Sequence, residues 1–217
     1  MKSLPLTPDV LVAAYANGIF PMDVDGTIQW FSPDPRAIIP LEAFHASKTL
    51  RQTYRSGTFE VRLDSAFEEV IRVCAERPEL HRRPSGPHRD EAGRPVRRRA
   101  RGMTWISPEI VAAYSRLHKL GLAHSVESWR NDELAGGLYG VTLGGAFFGE
   151  SMFRRQADAS KVALVALVER MRDRGFALLD VQFLTPHLQR FGATEIPRWD
   201  YLRRLKHALA IKTTFVD

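Results

Sequence analysis

The sequence predicts an α+β fold, and three observations carry the prediction. The runs "HSVESWR", "ELAGGLYGV" and "AFFGESMF" are joined by the turns "ND" and "TLGG", which is the pattern of three consecutive antiparallel strands. Stretches with helix-start and helix-stop signals flank them, opened by Ser107 with Pro108 and stopped by Gly121 on one side, and running from Ala159 to about Arg174 on the other. Hydrophobic residues make up 44% of the 217 residues, enough for a substantial core beneath such a layered arrangement.

In chain order, Thr7 and Pro8 start a helix that runs to Asn17, with Gly18 closing it. "FPMDVDGTIQWFSPDPRAIIP" follows, with turn formers at "DG" and "SPDP" and two aromatics, Trp30 and Phe31, anchored between them. Helices are expected at about 41–55 and 65–76, on either side of the short alternating run "FEVRL". Residues 1–76 thus predict a small N-terminal α+β lobe, and 102–217 a second domain. The second domain continues past its long helix with the apolar strand "ALLDVQF" (177–183), a short helix near 186–191 and a longer one over about 199–210.

Between the two parts, residues 77–101 carry nine arginines against three acids, with Pro and Gly interspersed. That composition cannot supply a core and predicts a loop, and its clustered guanidinium groups suit phosphate. Arg97, Arg98, Arg99 and Arg101 are candidate contacts to a polyanion, whether RNA, DNA or a membrane surface, with a merely solvated loop as the alternative. Cys74 is the only cysteine, so an intrachain disulfide and a paired-cysteine zinc site are excluded, and a packed thiol is expected. No run approaches 18 apolar residues and the start lacks a secretory pattern, so a cytoplasmic protein is the expectation. With no HExxH or comparable cluster, no catalytic metal is expected, and no GxSxG elbow surrounds Ser151. His124 reads as a structural histidine and His118 as a residue of a helix surface.

Strand alternation singles out the polar residues. Strict alternation puts Ala146, Phe148, Glu150 and Met152 on one face of their strand and Phe147, Gly149, Ser151 and Phe153 on the other. Along 177–183 it groups Leu178, Asp180 and Gln182, opposite Leu179 and Val181. Two polar groups on one face of a covered strand require a cavity, a network or an opening of the sheet. If Glu150 and Asp180 meet in one pocket, they can orient an amine and accept its proton while Gln182 fixes or polarises an acyl group. Glycines are dense in these strands: Gly136 and Gly137 are bulge candidates, and Gly149 beside Glu150 is placed to clear room for a substrate.

At these residues the chain resembles the bacterial leucyl/phenylalanyl-tRNA-protein transferase family. The resemblance rests on "NGIFPM", "WFSPDPR", "TWISPEIVAAYSRLHKLGLAHSVESW", "LAGGLYGVTLGGAFFGESMF", "ASKVALVALVERM" and "LLDVQFLTPHLQRFGATEIPR". It implies a C-terminal domain like the GCN5-related N-acetyltransferases, with a mostly antiparallel central sheet flanked by helices. It further implies transfer of Leu or Phe, less readily Met, from aminoacyl-tRNA to a protein whose N-terminal residue is Arg or Lys. The product would be an N-degron. No cofactor is implied, since the aminoacyl ester is already activated, and a monomer away from membranes is expected.

Carried over position by position, the resemblance makes Asp180, Gln182 and Glu150 the catalytic set. It places Leu138, Phe147, Met152, Met171 and Leu179 around the pocket for the transferred side chain, and Trp30, Phe31, Trp105 and Tyr114 near the terminal adenosine and acceptor channel. Phe147 and Leu179 lie opposite the polar residues under strict alternation, so their assignment demands a bulge or curvature. Three departures stand out: Phe31 where the pattern has a second tryptophan, Arg154 where serine is usual, and the long basic loop. Arg154 joins Arg97, Arg98, Arg99 and Arg101 as a candidate tRNA contact. The acetyl-CoA-using alternative requires a glycine-rich pyrophosphate cradle, which "FRRQADASK" does not supply.

Overall fold

Ser107 holds the start of a helix through its side chain, which accepts a hydrogen bond from the Ile110 amide, and Pro108 fits the first helical turn. The computed structural model, described for residues 4–76 and 104–216, develops from such local signals into sixteen elements. They run α1 (Pro8–Ala16), β1 (Phe20–Val24), β2 (Thr27–Phe31), β3 (Arg36–Ile39), α2 (Lys48–Arg55), β4 (Glu60–Leu63), α3 (Phe67–Glu76) and α4 (Pro108–Lys119). After these come β5 (Ala123–Arg130), β6 (Glu133–Leu143), β7 (Ala146–Arg154), α5 (Ala159–Asp173), β8 (Leu178–Gln182), α6 (Pro186–Gln189), β9 (Thr194–Ile196) and α7 (Arg198–Leu209). The basic loop and its four candidate arginines lie outside the described residues.

β1 and β2 form a hairpin across the "DG" turn. The other strands make one seven-stranded sheet in the order β4-β5-β6-β7-β8-β3-β9, with every neighbouring pair antiparallel except β7 and β8. The expected meander over 123–154 is present as β5, β6 and β7. β3 and β4, from the first 76 residues, are strands of this same sheet, so the hairpin alone has a sheet of its own in that part of the chain. Helix α2 starts only at Lys48, because Ser47 caps it by accepting from the Leu50 amide; the helix expected from 41 is shorter for that reason.

Two apolar layers cover the sheet. On one face α1, α3, α4 and α7 pack Leu11, Tyr15, Val70, Tyr114 and Leu205 against Tyr139, Phe148 and Phe153. On the other, α5 packs against β5 and β6 beneath α2, with Val162, Val165 and Leu167 against Leu138, Phe147 and Leu179. Helix α5 is apolar nearly all round because it is enclosed on nearly all sides. Gly136 permits its close approach, since a Cβ there would stand 2.7 Å from that of Ala159. Cys74 is buried as expected. His118, by contrast, is no free surface residue: its ring stacks on Phe67 at 4.2 Å and its Nδ1 meets the Ala123 carbonyl. None of the described helices is long and apolar enough to cross a membrane.

Candidate active site

The site originates where the one parallel pair comes apart. β7 and β8 are in register only at Ala146 with Leu178, Phe147 with Leu179 and Phe148 with Asp180. β7 then continues to Arg154 along β6 while β8 ends at Gln182, so the two strands diverge and a gap opens between them. A bulge assists the divergence. Gly140 pairs with Gly149 and Tyr139 with Ser151, leaving Glu150 as the extra residue. Only glycine fits at 140, where a Cβ would lie 2.3 Å from both the Phe147 ring and the Phe148 carbonyl oxygen.

The bulge corrects the strict alternation. Met152 belongs to the opposite layer from Phe148 and packs with Phe147 and Leu179, while Phe153 returns to the face of Phe148. The sequence-based grouping of Glu150 with Met152 on one face is therefore overturned by the inserted residue. The same insertion removes the conflict over Leu179: polar and apolar groups from both sheet layers reach one opening.

Asp180 is fully buried and fully partnered. Arg36 Nε and Nη2 donate to its two carboxylate oxygens at 2.9 and 2.6 Å, Tyr201 Oη donates at 2.8 Å, and the Gln182 amide nitrogen donates at 2.9 Å. Arg36 is itself held by the Gly18 carbonyl at 3.0 Å and lies between the rings of Phe20 and Tyr201, at 4.8 and 4.6 Å. Burial opposes the charge on Arg36, but Asp180 outweighs it and raises the guanidinium's proton affinity. Burial and then Asp180 likewise push the Tyr201 hydroxyl far above its ordinary range. Arg36 went unnoticed in the sequence because "RAII" between two prolines is too short to read as a strand.

Gln182 closes β8 in the left-handed region, at φ +57°, a conformation that costs a non-glycine residue of order 1–3 kcal/mol. The hydrogen bond from its own amide to Asp180 helps hold it there. Its side-chain Nε2 is buried with no hydrogen-bond partner among the described residues, and the residue faces the gap between the strands.

Glu150 has a different environment. Its Oε1 accepts from the Tyr15 hydroxyl at 2.7 Å, and Tyr15 and Tyr114 share a very short hydroxyl contact behind it. Burial, with the charge of Asp180 adding to it, pushes the Glu150 carboxyl up to about 8, against the opposing pull of the Tyr15 hydrogen bond and Arg36. The hydroxyls of Tyr15, Tyr114 and Tyr139 are pushed well above their ordinary range, by burial first and by Glu150 next. Glu150 thus keeps its proton to a higher pH than an ordinary carboxyl, beside phenols that do the same.

These groups border a cavity of about 680 Å³. Of the residues singled out by sequence, Glu150, Gln182, Trp105, Leu138, Met152, Leu179 and Arg154 line it. Asp180 stands behind Gln182, and Tyr114 stands behind Glu150. Phe147 and Met171 are buried in the α5 layer, and Trp30 and Phe31 belong to the hairpin, where Phe31 stacks on the cavity residue Phe20. Sequence reasoning missed Leu164 and Leu167 of α5, the aromatics Phe20 and Phe183, and the cationic residues Lys161 and Arg190. The helical spacing of the two leucines was visible, but nothing in it distinguished a cavity wall from ordinary core. Among the described residues no cluster of His, Cys, Asp and Glu could hold a metal ion.

The cavity joins an apolar chamber to a carboxyl and an unpaired amide, the groups that a catalytic site for a substrate with an apolar group would use. The comparisons narrow the class. Residues 38–84 and 92–206 match the leucyl/phenylalanyl-tRNA protein transferase family, and residues 5–34 match its N-terminal domain. A leucyl/phenylalanyl-tRNA–protein transferase of Herpetosiphon aurantiacus is 53% identical over 97% of this chain and 98% of its own length. Another from Rubrobacter xylanophilus is 50% identical over 97% and 98%. The chain belongs to the leucyl/phenylalanyl-tRNA-protein transferase family, an aminoacyl-tRNA-protein transferase, as the motif resemblance implied. Among solved structures, L-PGS of Bacillus licheniformis is similar with a TM-score of 0.40 and 13% identity, over 84% of this chain and 55% of that one.

Proposed function

We propose that the protein transfers Leu or Phe, and less readily Met, from aminoacyl-tRNA to the α-amine of an N-terminal Arg or Lys on an acceptor protein, creating an N-degron. The observation that carries this reading is the meeting, in one cavity, of an apolar chamber with Glu150 and the unpaired amide of Gln182. Leu138, Met152, Leu164, Leu167 and Leu179 surround the chamber. A chain unbranched at Cβ enters it readily, and discrimination by one methylene amounts to about 1–3 kcal/mol, which leaves Met a poorer donor instead of an excluded one.

In the transfer the neutral acceptor amine attacks the ester carbonyl, a C–N bond forms, the ester C–O bond to the ribose breaks, and the proton that the amine nitrogen loses passes to the released 3′ oxygen. Gln182 Nε2 donates to the donor's acyl group and fixes it for attack. Asp180 acts through Gln182: its carboxylate, anchored by Arg36 and Tyr201, holds the amide of residue 182 and so the strained turn. Asp180 is on this geometry a positioning residue. Glu150 yields its stored proton when a cationic acceptor arrives, and the resulting carboxylate orients the amine. Trp105, Phe20 and Phe183 give an adenine a surface on which to stack, a contact contributing about 1–3 kcal/mol.

In the same reading, residues 102–217 supply most of a catalytic unit of the GCN5-related N-acetyltransferase type, to which residues 1–76 add β3 and β4 beside a smaller hairpin lobe. The splayed parallel pair within a mostly antiparallel sheet supports that assignment. The enzyme works as a cytoplasmic monomer without a cofactor, and Arg97, Arg98, Arg99 and Arg101 contact the tRNA backbone. The test is transfer of labelled leucine from charged tRNA to peptides beginning with Arg, Lys or Ala, without CoA. Labelling confined to the Arg and Lys peptides is the expected result. No labelling, with acylation appearing only when acetyl-CoA is added, overturns the donor assignment.

A further inference from the structure

The cavity is electrostatically divided. Among the described residues, Glu150 is the only acidic side chain that lines it, near the point where β7 and β8 separate. At the far end of the same wall stand Arg154, which ends β7, Lys161 in the first turn of α5, His187 of α6 and Arg190 just after α6. Arg154 lies four residue steps along the strand from Glu150, a run of about 13 Å at ~3.3 Å per residue. Three different elements thus converge to place cations along one edge of the site.

The three cations of this edge, Arg154, Lys161 and Arg190, crowd the imidazole of His187. The proton affinity of His187 is lowered, by burial first and then by Lys161, Arg154 and Arg190 in turn, so all three act on the same imidazole. Lys161 has a counter-charge in Asp158, at 2.7 Å. Arginine presents a planar fork that fits phosphate oxygens, and a field of one sign at the mouth of a low-dielectric cavity concentrates ligands of the other sign.

We infer that the Arg154, Lys161, His187 and Arg190 edge is a subsite for backbone phosphate of the donor's terminal nucleotides. The inference rests on the donor reading proposed above and specifies how the two substrates divide the cavity. The aminoacyl side chain occupies the leucine and methionine chamber, the ester lies at Gln182, and the 5′-linked phosphates lie along the cationic edge. A cationic acceptor is repelled from that edge and approaches from the Glu150 side. The subsite sits on β7, α5 and α6, beside the cavity residues Glu150 and Gln182.

The experiment measures direct binding of two hydrolysis-resistant donors, 3′-leucylamido-3′-deoxyadenosine alone and the same nucleoside as the 3′ end of the dinucleotide pCpA. Arg154→Gln/Arg190→Gln is the variant, two exposed positions whose replacement leaves the core untouched. Wild type is expected to bind the phosphorylated probe more tightly than the nucleoside, with an advantage that shrinks as salt rises. In the variant, nucleoside affinity stays unchanged while the phosphate advantage falls. The salt slope drops by about 0.7 for each single-strand phosphate that the variant no longer neutralises. A phosphate advantage that persists undiminished in the variant overturns the subsite and leaves the donor reading standing. Failure of both probes to bind the wild type overturns the subsite together with the donor reading beneath it.

Discussion

Replacing Glu150 by Gln tests the stored proton in the empty enzyme, without reference to catalysis. The glutamine keeps the side chain's shape and the hydrogen bond from Tyr15 while removing the ionisation. In the native fold the carboxyl titrates at about 8, compared with 4.5 for an unburied glutamate. The folded state therefore holds the proton more tightly than the unfolded state does. Stability from this source is complete below the unfolded value and is lost as pH rises through about 8. Across pH 6 to 9 the shift covers nearly two logarithmic units, so wild type should lose about 3 kcal/mol more than Glu150→Gln over that range.

Urea unfolding of both proteins at pH 6, 7, 8 and 9 measures this directly, because the remaining titrating groups are common to the two and cancel in the difference. The variant should match wild type within about 1 kcal/mol at pH 6 and be clearly the more stable at pH 9. Parallel curves with a constant offset would refute the reasoning. They would mean that Glu150 is already ionised at pH 6 and that its surroundings solvate the charge.

Arg36→Met should destabilise the fold by about 3–5 kcal/mol by leaving the buried Asp180 charge without its partner, and Arg36→Met/Asp180→Leu should regain much of that stability; thermal unfolding checks both. Gln182→Ala should reduce transfer by a factor of about 10²–10³ with little change in donor binding, measured by single-turnover assay beside direct titration. Equal reductions in the two would remove Gln182 from the reacting centre. Gly140→Ala should cost about 3 kcal/mol or more, since its methyl group meets the Phe147 ring and the Phe148 carbonyl; the unfolding midpoint reads this out. Leu164→Phe narrows the chamber and should reduce Phe transfer more than Leu transfer, by a ratio of about 10–200-fold in kcat/KM.

The parts legible in the sequence were those set by local chemistry. Ser107 with Pro108 starts α4, and the three-strand meander follows from short turns between alternating runs. What could not be read is the pairing of distant segments. "RAII" gives no sign that it will lie between β8 and β9, yet this insertion is what brings Arg36 onto Asp180 from 144 residues away. The alternation rule failed at Glu150 for a related reason: the bulge is decided by the partner strand, where Gly140 allows the ring of Phe147 and the carbonyl of Phe148 to come close. Apolar positions were predicted as cavity wall or core without a way to separate them. Met171 went into the core and Leu164 into the wall, although both lie on α5.

Asp180 and Glu150 show why the same side-chain chemistry performs different work a short distance apart. Asp180 collects four donors, so its charge is met on every side and it has little further capacity for a substrate. Its effect is mechanical, since it holds the backbone of Gln182 at a positive φ and leaves the amide side chain directed at the cavity. Glu150, placed at the bulge, has Tyr15 as its near donor and a cavity in front of it, and at neutral pH it keeps a proton that an approaching cation can displace. Without its donors Asp180 would be a buried charge with no partner beside a second carboxyl. Arg36 meets the Asp180 charge, so the sheet insertion that delivers Arg36 also supports the cavity wall at Gln182.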